Sequence, residues 1–92
     1  MGSTFITRWT TTGKVDEIIA AGQEKYVPLI IAGGASWVQM VRTGELSFCV
    51  ISHYADAATA HKAQAGGTRA AAKQEFPLTI VSSEEGDVFA SG

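Results

Sequence analysis

The sequence predicts an α+β fold in which one antiparallel sheet is built in the order β-α-β-β-α-β. Runs rich in β-branched and aromatic residues alternate with runs whose apolar residues recur at helical spacing. In addition, residues 37–53 read as a hairpin of two apolar strands around the turn Thr43-Gly44-Glu45. At 92 residues the chain has the length of one domain. We therefore predict a single domain over residues 1–92, with residues 84–92 as a short C-terminal strand or arm.

The first half of the chain predicts a strand followed by a helical region. Residues 3–9 are rich in threonine, isoleucine and aromatic side chains, which favour a strand, and a turn follows at residues 10–13. Residues 15–26 place apolar side chains at helical spacing. Pro28 removes one helical hydrogen bond, so we expect a kink or two helical pieces there. Gly33-Gly34 ends the helix, because glycine readily adopts the conformation of a helix terminus.

The second half predicts another helical region and the last strand. Asp56 is a good N-cap for a helix over residues 57–76. Gly66-Gly67 is a weak point at which this helix bends or breaks. The remaining segments are a strand at 78–82, a turn at 84–86 and a terminal arm at 87–91. A split β-α-β order of this kind is the ferredoxin-like arrangement.

The hairpin is apolar on both sides. Side chains alternate along a strand, and a tight two-residue turn would place Trp37, Gln39 and Val41 on one face with Leu46, Phe48 and Val50. The other face would carry Val38, Met40, Arg42, Ser47, Cys49, Ile51 and His53. Helices can cover one face, so we expect a second copy of the chain to cover the other. The charged fraction of 17% is low against the usual ~25%, and it also indicates self-association.

Composition argues against several classes of function. The net charge is −2 and the basic residues are scattered, which disfavours nucleic-acid binding. Cys49 is the only cysteine, so neither an intrachain disulfide nor a cysteine-based zinc site is expected. No apolar run reaches the ~18 residues of a membrane span, and no signal peptide is recognisable. A cytoplasmic location without membrane association follows by default.

Three stretches carry a resemblance to a known group: residues 34–44, 48–60 and 81–90. They resemble the dimeric α+β barrel superfamily, which includes antibiotic-biosynthesis-type monooxygenases and many uncharacterised relatives. The resemblance implies that two ferredoxin-like subunits press their open sheet faces together. The resulting barrel has helices outside and encloses a ligand cavity.

The resemblance says less about activity. Members of the superfamily include cofactor-independent oxygenases, haem-degrading enzymes, lactone isomerases, decarboxylases and proteins with no known activity. The oxygenases tend to use asparagine, tryptophan and histidine in the pocket, and this chain contains no asparagine. No catalytic residue therefore carries over by motif.

The candidate site residues lie on or beside the predicted strands. His53 is the candidate general base, because histidine titrates near neutrality; the alternative is a strand-end histidine held by solvent or a backbone carbonyl. Trp9 and Trp37, with Tyr54, could line a cavity for a flat apolar ligand. Gln39 or Arg8 would orient that ligand, although packing in the core or the dimer explains the tryptophans equally well.

Two hypotheses for function follow. The first is a homodimeric small-molecule-binding or structural module with no assignable reaction. The alternative is a cofactor-independent monooxygenase or isomerase that acts on a small aromatic or polyketide-like substrate. No cofactor and no metal are expected in either case. The two histidines lack a convincing third ligand, and His61 is expected to be a solvated helix residue.

Overall fold

The chain forms a four-stranded antiparallel sheet with helical segments on one side. A computed structural model describes residues 2–92. The strands lie in the spatial order β2-β3-β1-β4, and every neighbouring pair is antiparallel. Their bounds are β1 Ser3–Thr11, β2 Trp37–Gly44, β3 Ser47–Tyr54 and β4 Leu78–Asp87. The α+β class and the ferredoxin-like arrangement predicted from the sequence are confirmed.

The first helical region is one continuous run of three segments. They are α1 (Val15–Ala21), a π-helical turn (Gly22–Tyr26) and α2 (Val27–Ala32). Val27 N–H donates to Gly22 O, five residues back, which widens the helix just before Pro28. Proline has no N–H to continue the α-helical pattern, so the widened turn has a local cause. The expected division at Pro28 is confirmed.

The second helical region is divided as predicted. α3 (Ala57–Gln64) and α4 (Thr68–Glu75) are separated at Gly66-Gly67. Asp56 caps α3, because its Oδ1 accepts a hydrogen bond from Thr59 N at 2.7 Å. This hydrogen bond lowers the pKa of the Asp56 carboxyl below its ordinary value. The predicted cap and the predicted break are both confirmed.

The last strand is longer than predicted. Residues 84–86, for which the sequence predicts a turn, continue β4 and pair with β1, with Glu84 opposite Ile6. The turn prediction is wrong because β1 offers a full-length partner, and the ladder of hydrogen bonds outweighs the local preference of Gly86 for a turn. Residues 88–92 leave the sheet after a single backbone hydrogen bond from Val88 N to Gly2 O.

The predicted hairpin register is also wrong. Trp37 lies opposite His53, Gln39 opposite Ile51 and Val41 opposite Cys49. The register shifts between Arg42 and Gly44, so Thr43 is an extra residue on β2. One extra residue reverses which side chains share a face. Both faces are still apolar, as predicted.

The sheet therefore has two distinct faces. The covered face, which lies under the helices, carries Phe5, Thr7, Trp9, Met40, Phe48, Val50, Ser52 and Tyr54. The open face carries Ile6, Arg8, Trp37, Gln39, Val41, Cys49, Ile51 and His53.

The core lies between the covered face and α3. Its buried members are Phe5, Ala35, Tyr54 and Ala60. Ala60 is fully buried, and its small side chain lets α3 lie close to the sheet. Phe5 and Tyr54 meet edge to face, with ring centroids 6.3 Å apart. Among residues 2–92, no helix has the length and apolar character needed to cross a membrane.

Candidate functional site

A partly open cavity lies between the covered face and the helices. Its volume is about 110 Å³, several times the ~10–15 Å³ that one water molecule needs. Apolar and aromatic side chains form most of its wall, among them Phe5, Trp9, Ile18, Tyr26, Met40, Phe48, Val50, Tyr54 and Phe76. A concave, mainly apolar cavity with a few polar groups is the usual form of a small-molecule site.

Trp9 and Phe48 form a flat part of the cavity wall. Their rings stack with centroids 6.0 Å apart and planes 3° from parallel. The buried indole N–H of Trp9 donates to Thr7 Oγ1 at 2.8 Å, so the ring is held in place without an unsatisfied donor. This wall is suited to a planar ligand.

Gly22 brings the helix backbone against the cavity. A Cβ atom at this position would stand 2.8 Å from Met40 Sδ, which is too close for an ordinary contact. Any larger residue here would require the Met40 side chain to move, so Gly22 lets the π-helical turn lie directly against Met40. Met40 is flexible and can adapt its shape to a bound molecule.

Glu75 joins the two helical regions at one end of the cavity. Its Oε2 accepts hydrogen bonds from Tyr26 Oη at 3.0 Å and from Lys25 Nζ. We call these three residues the Glu75 clasp. The hydrogen bonds from Lys25 and then Tyr26 lower the pKa of the Glu75 carboxyl, whereas burial and the bond to Glu75 raise the pKa of Tyr26. The clasp links the π-helical turn to the last residue of α4.

Arg69 contributes a positive charge to the cavity wall. It stands in the first turn of α4 beside Thr68, and Tyr54, Gln64 and Thr68 are among the polar residues of the cavity wall. Burial lowers the pKa of the Arg69 guanidinium, and the nearby Tyr54 phenol partly opposes that shift. Arg69 cannot be recognised as a cavity residue from the sequence, because an arginine in an alanine-rich helix is typical of a solvated position. Only the packing of α4 over the sheet reveals its position.

The structure divides the predicted site residues between the two faces of the sheet. Trp9 and Tyr54 line the cavity. Arg8, Trp37, Gln39 and His53 lie on the open face.

His53 is separated from the cavity by the sheet. Its ring stacks on Trp37, with centroids 5.5 Å apart and planes 12° from parallel. Its Nδ1 lies 3.0 Å from Thr4 Oγ1. The backbone of Gly2 lies against the other ring nitrogen, since a Cβ there would be 2.5 Å from Nε2. His53 can therefore act on a ligand only from the open side.

The two histidines cannot meet at one metal ion. His61 lies on the helical side, where its Nε2 is 2.8 Å from Glu85 Oε2, while His53 is on the open face. Within residues 2–92, no three side chains of the types His, Cys, Asp and Glu come together as a metal site requires.

Solved structures of other proteins share this fold. SnoaB, a cofactor-independent oxygenase from Streptomyces nogalater, aligns with a TM-score of 0.78 and 18% identity over 98% of this chain and 95% of its own. A protein of unknown function from Nitrosomonas europaea aligns with a TM-score of 0.75 and 18% identity, over 99% of this chain and 92% of its own. A dimeric ferredoxin-like protein from an uncultured marine organism aligns with a TM-score of 0.69 and 15% identity, over 99% of this chain and 98% of its own.

These similarities define the fold. The chain has the ferredoxin-like fold that these structures share, as its sequence predicted. No protein-family model and no curated protein sequence matches the chain.

Proposed function

We propose that the chain is a homodimeric module in which each subunit binds a small, planar, mainly apolar molecule between its helices and its sheet. The cavity carries this proposal. Trp9 and Phe48 give it a flat wall, and Met40 gives it an adaptable one. Such a wall favours an aromatic ring, because ring stacking adds to the gain from burying apolar surface.

The open face supports the homodimer. Trp37 and Val41 on the edge strand β2 are each 43% exposed in the single chain, and Val81 on β4, at the opposite edge of the sheet, is 62% exposed. Exposed apolar residues across one face of a sheet favour a contact surface. In the proposal a second open face packs on this one, since stacked sheets pack about 10 Å apart. The dimeric ferredoxin-like protein with the same fold supports this arrangement.

The roles of the predicted site residues follow from this arrangement. In the proposal, Trp9 and Tyr54 contact the ligand. Trp37, Gln39, Arg8 and His53 lie between the two subunits. A cytoplasmic location and the lack of nucleic-acid or membrane partners remain predictions from composition.

A cavity-filling variant tests the binding proposal. Ala72 of α4 lines the cavity, whereas Ala70 of the same helix is exposed. Calorimetric titration with the neutral probe 2-naphthalenemethanol should show binding to the wild type and to Ala70→Trp. Binding should be lost in Ala72→Trp, whose indole occupies the cavity. Equal binding to both variants would place the probe elsewhere, and a wild type that binds neither this probe nor its acidic counterpart naphthalene-2-carboxylate would refute the proposal.

A cofactor-independent oxygenase or isomerase acting on a small aromatic or polyketide-like substrate is the second candidate. The oxygenase SnoaB, which has the same fold, favours it, and Tyr54 with Arg69 supplies polar groups beside a bound ring. The test is dioxygen uptake with hydroxylated naphthalenes as substrates. A rate above the protein-free control that Ala72→Trp removes would support an oxygenase, whereas a rate equal to the control would count against one.

A further inference from the structure

Arg69 is the one charged side chain among the described residues that line the cavity. Its hydrogen bond to Ser83 Oγ is long, at 3.4 Å. The ion pairs within residues 2–92 are Lys25 with Glu75 and His61 with Glu85. No acidic residue in the described part of the chain therefore pairs with Arg69.

This position is costly for a cation. Arginine stays protonated in proteins, and a partly buried charge loses hydration that a partner must replace. Arg69 also stands in the first turn of α4, where the positive end of the helix dipole disfavours a cation. A bound anion would offset both effects at once.

The neighbouring groups fit an anion better than a neutral molecule. Tyr54 acts electrostatically on the Arg69 guanidinium. Gln64 and Thr68 also line the cavity, and Thr68 is the residue before Arg69 in α4. Amide and hydroxyl groups can donate hydrogen bonds to an oxyanion. The guanidinium itself presents a planar fork that binds a carboxylate through two parallel hydrogen bonds.

We infer that Arg69 recognises an acidic group on the ligand, so that the molecule bound is a planar aromatic or polyketide-like anion. The flat ring lies along Trp9 and Phe48, and the carboxylate or ionised enol faces Arg69. This inference rests on the proposed binding function and specifies its ligand class. Charge at one end and apolar walls elsewhere would also fix the orientation of the ligand in the cavity.

A matched pair of probes tests the inference. Naphthalene-2-carboxylate and neutral 2-naphthalenemethanol carry the same ring, and both are titrated calorimetrically. The wild type should bind the carboxylate roughly tenfold or more tightly, since hydrogen bonds to charged groups are the strong ones. Arg69→Met should lose this preference. Lys73→Met is the control, because Lys73 lies on the same helix, carries the same charge and is exposed outside the cavity wall.

The outcomes separate the inference from the proposed function. Equal wild-type affinities for the two probes would overturn the anion inference and leave the binding function standing. No binding of either probe would overturn both. A preference that survives in Arg69→Met would also overturn the inference. If Arg69→Met fails to fold, Arg69→Lys takes its place in the test. Lysine keeps the positive charge but lacks the planar guanidinium, so this variant should retain only part of the preference for the carboxylate probe.

Discussion

Trp9 and Trp37 lie on opposite faces of the same sheet. Trp9 stacks on Phe48 beneath the helices, with 5% of its surface exposed, whereas Trp37 stacks on His53 on the open face. The two tryptophans therefore report separately on the cavity and on the proposed subunit interface, and no other tryptophan is present.

Single-tryptophan variants should respond differently to dilution. In Trp9→Phe, the remaining Trp37 should become more accessible to acrylamide quenching as the protein is diluted through dimer dissociation. In Trp37→Phe, the remaining Trp9 should show the same low quenching at every concentration, because it is buried within one subunit. Quenching of Trp37 that does not change between dimer and monomer would contradict its place in the interface.

A charge on the open face should break the dimer. Val41→Asp would bury a carboxylate without a partner, which costs several kcal/mol, so we expect the dissociation constant to rise at least about 100-fold. Ile31→Asp is the matched control, because Ile31 on α2 is 42% exposed, nearly the same as Val41, and does not lie on the sheet. Sedimentation velocity measures both. The dimer proposal fails if Val41→Asp sediments like the wild type.

His53→Ala separates the two faces functionally. Since His53 packs on Trp37 across the sheet from the cavity, we expect weaker dimerisation and an affinity for 2-naphthalenemethanol within about twofold of the wild type. Loss of probe binding in a variant that remains dimeric would show that His53 acts at the ligand site. If the enzyme alternative holds with His53 as base, this variant should lose turnover while remaining a dimer.

The Glu75 clasp should make stability depend on pH in the acidic range. The folded-state pKa of Glu75 is lowered by hydrogen bonds from Lys25 and Tyr26, so its contribution is present above the unfolded-state pKa. That contribution disappears as pH falls through the folded-state value. Glu75→Gln should therefore have a lower urea midpoint than the wild type at pH 7, and the difference should shrink as the pH falls below the ordinary glutamate pKa of about 4.3. A difference that is constant with pH would contradict an ionic role.

Two glycine substitutions should change stability in opposite directions. Gly34 has φ of 120°, and a Cβ there would stand 2.9 Å from Thr59 Cγ2, so Gly34→Ala should destabilise by about 1–3 kcal/mol. Gly67 has φ of −82° and open space around its Cα. Gly67 is the N-cap of α4, so Gly67→Ser should stabilise by about 0.4–1 kcal/mol, because serine restricts the unfolded chain and supplies a capping hydroxyl. Chemical denaturation measures the free energy of unfolding of both variants. Equal changes in the two variants would show that a residue other than glycine can adopt the backbone conformation at Gly34 without strain.

The structural features that can be predicted from the sequence are those that depend on residues close together in the chain. The division at Pro28, the Asp56 cap and the break at Gly66-Gly67 each follow from local backbone chemistry. The hairpin register does not follow from local chemistry. Turns with and without the extra residue at Thr43 have similar energies, so the sequence does not distinguish them.

The position of the cavity depends on distant contacts. Trp9 and Tyr54 were predicted as ligand contacts and line it. Arg69 reaches the same wall only because α4 restarts after Gly67 and packs against strands far away in the chain. No pattern within residues 57–76 distinguishes this arginine from a solvated one, so the sequence alone could not assign it.

Native mass spectrometry of the wild type saturated with naphthalene-2-carboxylate tests the central claim most directly. Because each subunit has its own cavity on the helical side of the sheet, we predict a dimer that carries two ligands. Saturation at one ligand per dimer would place the site between the subunits instead. A monomer, or a dimer that binds no ligand, would contradict the proposed function.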